Sequence, residues 1–253
     1  MARSRLAVLL VVTAALAGGC GGGDDSAGST TSTSPSTTGV EATTSTTVDE
    51  QVTLLPGQTE GQDDFNQDGQ PDSTCGTQDF GAGLVLRILC DIGGRNSEPP
   101  EGVTLVEGSL FRLPTDDTVD LNGISGSAVI ARDDAGARVY VIVFSSDALF
   151  DIGSDVIVAT DTFDNLIALI NGQFPGSGLQ VRGHTDSTGS ADANQSLSDR
   201  RAASVQTYLS DHGVEAAEVT AVGFGASQPL AVEDNDEGRK FNRRVELVIR
   251  PPG

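Results

Sequence analysis

Two side chains of opposite charge in the second half of the chain could form a binding site. Asp186 sits in Gly183-His184-Thr185-Asp186-Ser187-Thr188-Gly189-Ser190, and Arg201 in Leu197-Ser198-Asp199-Arg200-Arg201-Ala202. Leu197, Val205, Tyr208 and Leu209 recur at helical spacing and Gly213 is a natural stop, so Arg201 lies in or beside the apolar stripe of a helix. A charge in that position needs an anionic partner. Asp186, in the loop before the helix, is the best candidate in reach. Two arrangements would satisfy the pair. In one, Asp186 and Arg201 form an internal salt bridge that only orients loop and helix. In the other, they leave a cleft with one carboxylate and one guanidinium, which is the chemistry that holds a zwitterion.

The elements around this pair are legible from periodicity. Leu179-Gln180-Val181-Arg182 alternates as a strand that leads into the polar loop. Strand signals at 139–151, 179–183, 218–223 and 244–250 alternate with helical stretches at 155–171 and 191–212. Val156, Ala159, Phe163, Leu166, Ile167 and Ile170 give the first helix an apolar face. The order βαβαβ(α)β predicts an α/β (α+β) two-layer sandwich over residues 137–253.

Four ordered motifs resemble the OmpA-like peptidoglycan-binding domain family (the C-terminal domains of OmpA, Pal and MotB). They are the Gly183–Ser190 segment with Asn194 and Leu197–Ala202, then Asp147-Ala148-Leu149-Phe150-Asp151-Ile152-Gly153-Ser154, Val222-Gly223-Phe224-Gly225-Ala226-Ser227-Gln228-Pro229 and Gly238-Arg239-Lys240-Phe241-Asn242-Arg243-Arg244-Val245-Glu246. The resemblance implies the OmpA C-terminal fold. It also implies that Asp186 receives the ammonium, and Arg201 the carboxylate, of diaminopimelate or an equivalent diamino acid in the peptidoglycan stem peptide. Thr185, Asn194 and Arg244 match positions that line or support the cleft. The rim departs from the pattern, with Ala193 where an aromatic residue is usual and Ile152-Gly153 where Phe-Asp is usual.

The front of the chain predicts export. Arg3 and Arg5, the apolar Leu6–Leu16 and Ala17-Gly18-Gly19 read as a signal peptide over 1–19. Small residues ending on Cys20 resemble a lipoprotein processing site, which makes Cys20 the expected lipidated residue and the membrane a partner through that anchor. Residues 20–50, rich in Gly, Ser and Thr, form the expected flexible tether. Which membrane carries the anchor, cell membrane or outer membrane, is left open, as is the oligomeric state.

Residues 51–136 read as a small β-rich region, with strands at Leu84–Leu89, Val103–Val106, Ser109–Leu113 and Ser127–Ala131. Once Cys20 is assigned to lipid, Cys75 and Cys90 most simply form a disulfide. Asp64, Asn66, Asp68 and Asp72 alternate around Gly69 as in the front of a calcium loop, or as in a plain polar turn.

Composition narrows the function classes. A net charge of −21, from 36 acidic against 15 basic residues, lacks the basic footprint that nucleic acid demands. His184 and His212, at a strand end and a helix end, do not make a zinc site, and no Gly-x-Ser-x-Gly elbow exists. A binding module without cofactor is therefore expected. The competing classes are a calcium-dependent surface or adhesion module without wall affinity and, further off, a cell-wall hydrolase.

Overall fold

A disulfide closes the first hairpin. The computed structural model describes residues 64–65, 72–90, 99–115 and 119–253, which belong to one compact unit. The expected leader, Cys20 and the 20–50 tether lie outside the described residues. Strand β1 (Thr74–Asp79) pairs antiparallel with β2 (Val85–Leu89), and Cys75 is bonded to Cys90 across a separation of 15 residues.

The central sheet follows. β3 (Ser127–Arg132) and β4 (Arg138–Ser145) form a hairpin whose turn places Gly136 at φ 90°, where a side chain would be strained. A one-turn helix α1 (Ser146–Leu149), helix α2 (Thr160–Gln173), strand β5 (Ser177–Gly183), helix α3 (Ala191–Asp211) and strand β6 (Ala216–Gly223) come next. Short helix α4 (Asp236–Asn242) and strand β7 (Arg244–Arg250) close the fold. The strand order is β3-β4-β7-β5-β6, with β5 and β6 parallel through the α3 crossover and the other neighbours antiparallel.

Alternation along the strands gives the sheet two buried faces. Tyr140, Ile142 and Phe144 of β4, with Val245, Leu247 and Ile249 of β7, point to the helices and meet Phe163, Leu166 and Ile170 of α2 and Ala202, Val205 and Leu209 of α3. Val139, Val141, Val143 and Val248 point the other way and meet Phe80, Leu84 and Leu86 of the first hairpin, with Leu110, Phe111 and Leu113. The α+β sandwich is present, and the preceding region covers its second face. The expected boundary at 136/137 falls within the β3–β4 turn, so no separate middle domain is cut off there.

Three local expectations are corrected. The first long helix begins at Thr160, not 155, because Val158 N–H donates to Leu149 O and Phe150 bridges Ile157, which holds 150–158 as a closed loop. Val103–Val106 contributes only a Leu105–Ala231 bridge, and Leu110–Arg112 is a 3-10 turn rather than a strand. Among the described residues no helix is long and apolar enough to cross a membrane.

Candidate functional site

The loop after β5 is fixed from both sides. A Cβ on Gly183 would stand 2.3 Å from Ser198 O, and one on Gly223 would stand 2.3 Å from Asp199 N, so bare backbone is what lets α3 sit against the strand ends at Ser198 and Asp199. Asp199 Oδ1 accepts from Gly223 N at 2.9 Å and Ser198 Oγ accepts from Gly225 N at 2.8 Å, locking that approach. Ser190 caps α3 by accepting from Ala193 N at 3.2 Å. Asn194 donates to Asp186 O at 3.0 Å, so it shapes the loop rather than facing out. Thr185 is buried, and its Oγ1 has no hydrogen-bond partner among the described residues.

Asp186 and Arg201 do not pair with each other. Asp186 Oδ1 accepts from Thr188 N at 2.9 Å, and Oδ2 accepts from Arg243 Nη1 at 2.6 Å. Arg243 also holds Asp147, through Nε at 2.9 Å and Nη2 at 2.7 Å. Arg201 donates from Nε to Ser154 O at 2.9 Å and lies over the Phe150 ring, 5.1 Å from its centroid. Among the described residues no carboxylate comes within ion-pair distance of Arg201, although it is only 3% exposed. The internal Asp186–Arg201 salt bridge, one of the two arrangements open from spacing, is not formed.

The electrostatics follow from these contacts. Burial pushes the Asp186 carboxyl up, but the hydrogen bonds from Arg243 and Thr188 outweigh it and hold the group below the usual range. Asp147 first, and then Asp186, raise Arg243 against the effect of its burial. Arg201 is lowered, chiefly by burial; Asp147 opposes the shift and the neighbouring Arg243 adds to it. An arginine stays charged even so, which leaves Arg201 as a nearly buried cation without an ion-pair partner among the described residues, with Asp147 and Asp155 acting on it from beyond ion-pair distance.

Arg244 turns away from this cleft. It is buried, donating from Nε to Glu246 Oε1 at 2.8 Å and from Nη2 to Gln228 O at 2.9 Å. Glu246 Oε2 also takes Arg182 Nε at 2.9 Å, and His184 Nε2 stands 3.4 Å from Oε1. Arg182 then reaches the tip of the first hairpin, donating to Gly81 O at 2.9 Å and to Phe80 O. Arg244 thus supports the strand behind the loop and does not line the cleft. Arg243, one residue earlier, is the arginine beside Asp186. Sequence reasoning passed it over, and the doublet Arg243-Arg244 was the signal available, because the two must alternate where a strand begins.

The acidic segment Glu233-Asp234-Asn235-Asp236-Glu237 also reaches the site. Glu233 accepts from Ser187 N at 2.9 Å and from Asn242 Nδ2 at 2.7 Å, tying the segment before α4 to the Asp186 loop. Of the calcium-type residues, Asn66 and Asp68 lie outside the described residues, and Asp72 Oδ2 accepts from Phe65 N at 2.6 Å. Among the described residues no group of three or more His, Cys, Asp or Glu could hold a metal ion.

A mixed sheet with helices on one face, the Asp186 loop at a strand end and Arg201 halfway along α3 make up an α+β domain in which these two opposite charges are not paired with each other. Residues 149–243 match the OmpA family model, and this part of the chain is an OmpA-like domain. Outer membrane porin F of Pseudomonas aeruginosa is 38% identical over 139 residues, 54% of this chain and 36% of that protein. The probable lipoprotein YiaD of Escherichia coli is 39% identical over 85 residues, covering 34% of this chain and 39% of its own. The peptidoglycan-binding protein ArfA of Mycobacterium tuberculosis is 36% identical over 108 residues, 43% of this chain and 32% of that one. The chain thus spans only about a third of the length of these relatives.

Proposed function

We propose that this domain binds peptidoglycan non-covalently and anchors the cell envelope to the wall. The observation that carries the reading is the unbalanced Arg201 guanidinium, with Nε fixed on Ser154 O and no carboxylate in ion-pair range among the described residues. A ligand carboxylate supplies the missing anion by charge-assisted hydrogen bonds. The ligand ammonium goes to Asp186, whose oxygens use one lone pair each on Thr188 and Arg243 and keep others free. One diamino acid of the stem peptide carries both groups. ArfA, named a peptidoglycan-binding protein, and the OmpA family match support the same reading, and that family is one of binding domains rather than enzymes.

The anchor completes the proposal. Cys20 carries the lipid and 20–50 spans from membrane to wall, in keeping with the lipoprotein name of YiaD. Labelling with a radioactive fatty acid tests this: a Cys20→Ala chain that labels as strongly as wild type removes the tether.

Sedimentation with purified insoluble peptidoglycan tests the binding. Wild type is expected in the pellet, with and without EDTA, and Arg201→Ala and Asp186→Ala in the supernatant. Each truncation leaves an opposite ligand charge unpaired, a loss of about 2–5 kcal/mol. Wild type left in the supernatant overturns the proposal, and retention that EDTA abolishes hands the chain to the calcium-dependent class.

A further inference from the structure

The Asp186 loop and the segment around α4 each receive a donor from the other. From the α4 side, Arg243 Nη1 donates to Asp186 Oδ2 at 2.6 Å. From the loop side, Ser187 donates twice to Glu233 Oε2, from its N at 2.9 Å and from its Oγ at 2.5 Å. Asn242, the chain neighbour of Arg243, donates from Nδ2 to Glu233 Oε1 at 2.7 Å. These contacts close a ring that runs from Asp186 to Arg243, through Asn242 to Glu233, and back through Ser187 to Asp186.

Glu233 is itself anchored from behind. Asn242 is fully buried, and its Oδ1 accepts from Leu230 N at 2.8 Å and Ala231 N at 2.9 Å, which fixes the chain just before Glu233. On the other side Val232 N donates to Thr104 O and Val106 N to Leu230 O, both at 2.8 Å, and Asn235 Nδ2 donates to Gly102 O at 2.7 Å. Residues 102–106 lie outside the 149–243 family match, so this backing comes from the region ahead of it. The loop's peptide groups are oriented accordingly. Ser187 N–H points to Glu233, and the next one, Thr188 N–H, points to Asp186 Oδ1 at 2.9 Å. Holding the first fixes the second, and with it the Asp186 carboxylate.

We propose that Glu233 is a positioning residue of the ligand site, holding the Asp186 loop in its binding shape without touching the ligand. The role rests on the reading of Asp186 and Arg201 as the stem-peptide site. A ligand ammonium competes with Arg243 for the Asp186 carboxylate, so the Arg243 contact is the one that binding loosens. The Glu233 contact involves neither Asp186 nor Arg201 side chain and stays closed, so the loop needs no ordering at the moment of binding.

Calorimetry of the full chain with a diaminopimelate-containing tripeptide tests the role. Glu233→Ala is expected to bind about tenfold more weakly than wild type. Glu233→Gln, which keeps an acceptor for Ser187, is expected to lose no more than about threefold. Asp234→Ala, which removes the neighbouring charge and no hydrogen bond to the loop, is expected to bind as wild type does. Ser187→Ala, at an exposed position, is expected to weaken binding by about threefold on its own and to add nothing to Glu233→Ala, because both act through one contact. The role is overturned if Glu233→Ala or Ser187→Ala binds as wild type, if Glu233→Gln or Asp234→Ala is as weak as Glu233→Ala, or if the two losses add. If wild type takes up no tripeptide, the stem-peptide reading falls, and amide exchange still judges the loop. Ser187 N–H is then expected to exchange about tenfold faster in Glu233→Ala than in wild type, and equal rates overturn the positioning.

Discussion

Arg243 and Arg244 are neighbours in the chain and opposite in circumstance. Arg244 belongs to a sealed cluster in which Arg182, Arg244 and Glu246 are almost wholly buried and satisfy one another, backed by the hairpin carbonyls of Phe80 and Gly81. Arg243 belongs to a half-open cluster, shared between Asp147 and Asp186, with the unbalanced Arg201 nearby. Both alternate arginine with carboxylate. What differs is closure: in the inner cluster every charge has a partner, and beside the outer one Arg201 has no ion-pair partner among the described residues. The same residue types give a closed frame or, on the reading proposed above, a site, according to whether the last charge finds a partner within the chain.

The largest effect expected from breaking this contrast is at Glu246. Truncation to alanine leaves Arg182 and Arg244 facing each other inside the protein without an anion, a loss of about 3–5 kcal/mol. Urea unfolding measures it. A change below about 1 kcal/mol would mean that water reaches the cluster and that it is not the sealed frame described here.

A somewhat smaller effect is expected from pH. Burial first, then the Arg244 charge, lower His184 to about 4 from its ordinary 6.5, so the ring is neutral at pH 7. With the imidazole uncharged, Arg244 and Arg182 are what keep Glu246 ionised at that pH, well below its ordinary range in spite of its burial. The unfolded imidazole takes its proton near pH 6.5 and the folded one near 4, so between these values the unfolded state binds more protons. Stability from this group is complete above 6.5 and declines as the pH drops toward 4, by about 3 kcal/mol in all. His184→Phe, which keeps a flat ring against Phe224, should flatten the stability curve in that window. An unchanged slope would place the titration elsewhere.

How much of this contrast the sequence carried depends on range. The strand leading to Asp186, the helix bearing Arg201 and the closing strand are marked by local periodicity, and the four motifs point to the family. The partner of Asp186 was not legible, because Arg243 lies 57 residues away and approaches through α4. The reach of Arg182 to the first hairpin, 101 residues earlier, is likewise set by packing of the second sheet face rather than by any local pattern. Val156 misled for the opposite reason: its spacing suits the α2 stripe, yet the Phe150–Ile157 bridge delays the helix start to Thr160 and leaves Val156 exposed in the loop before it.

The smallest expected effect bears on which outer arginine is the anchor. Arg243 and Asp147 are partly exposed, so Arg243→Ala should lower stability by no more than about 1 kcal/mol. It also removes the cation that shares the Asp186 carboxylate and repels Arg201, so Asp186 titrates nearer its ordinary value and meets a ligand ammonium without competition. Arg243→Ala should therefore still sediment with peptidoglycan, in contrast to Arg201→Ala. Loss of sedimentation from Arg243→Ala, with Arg201→Ala retained, would reverse the roles: the paired arginine would be the ligand's anchor and the unbalanced one a strut for the Ser154 loop.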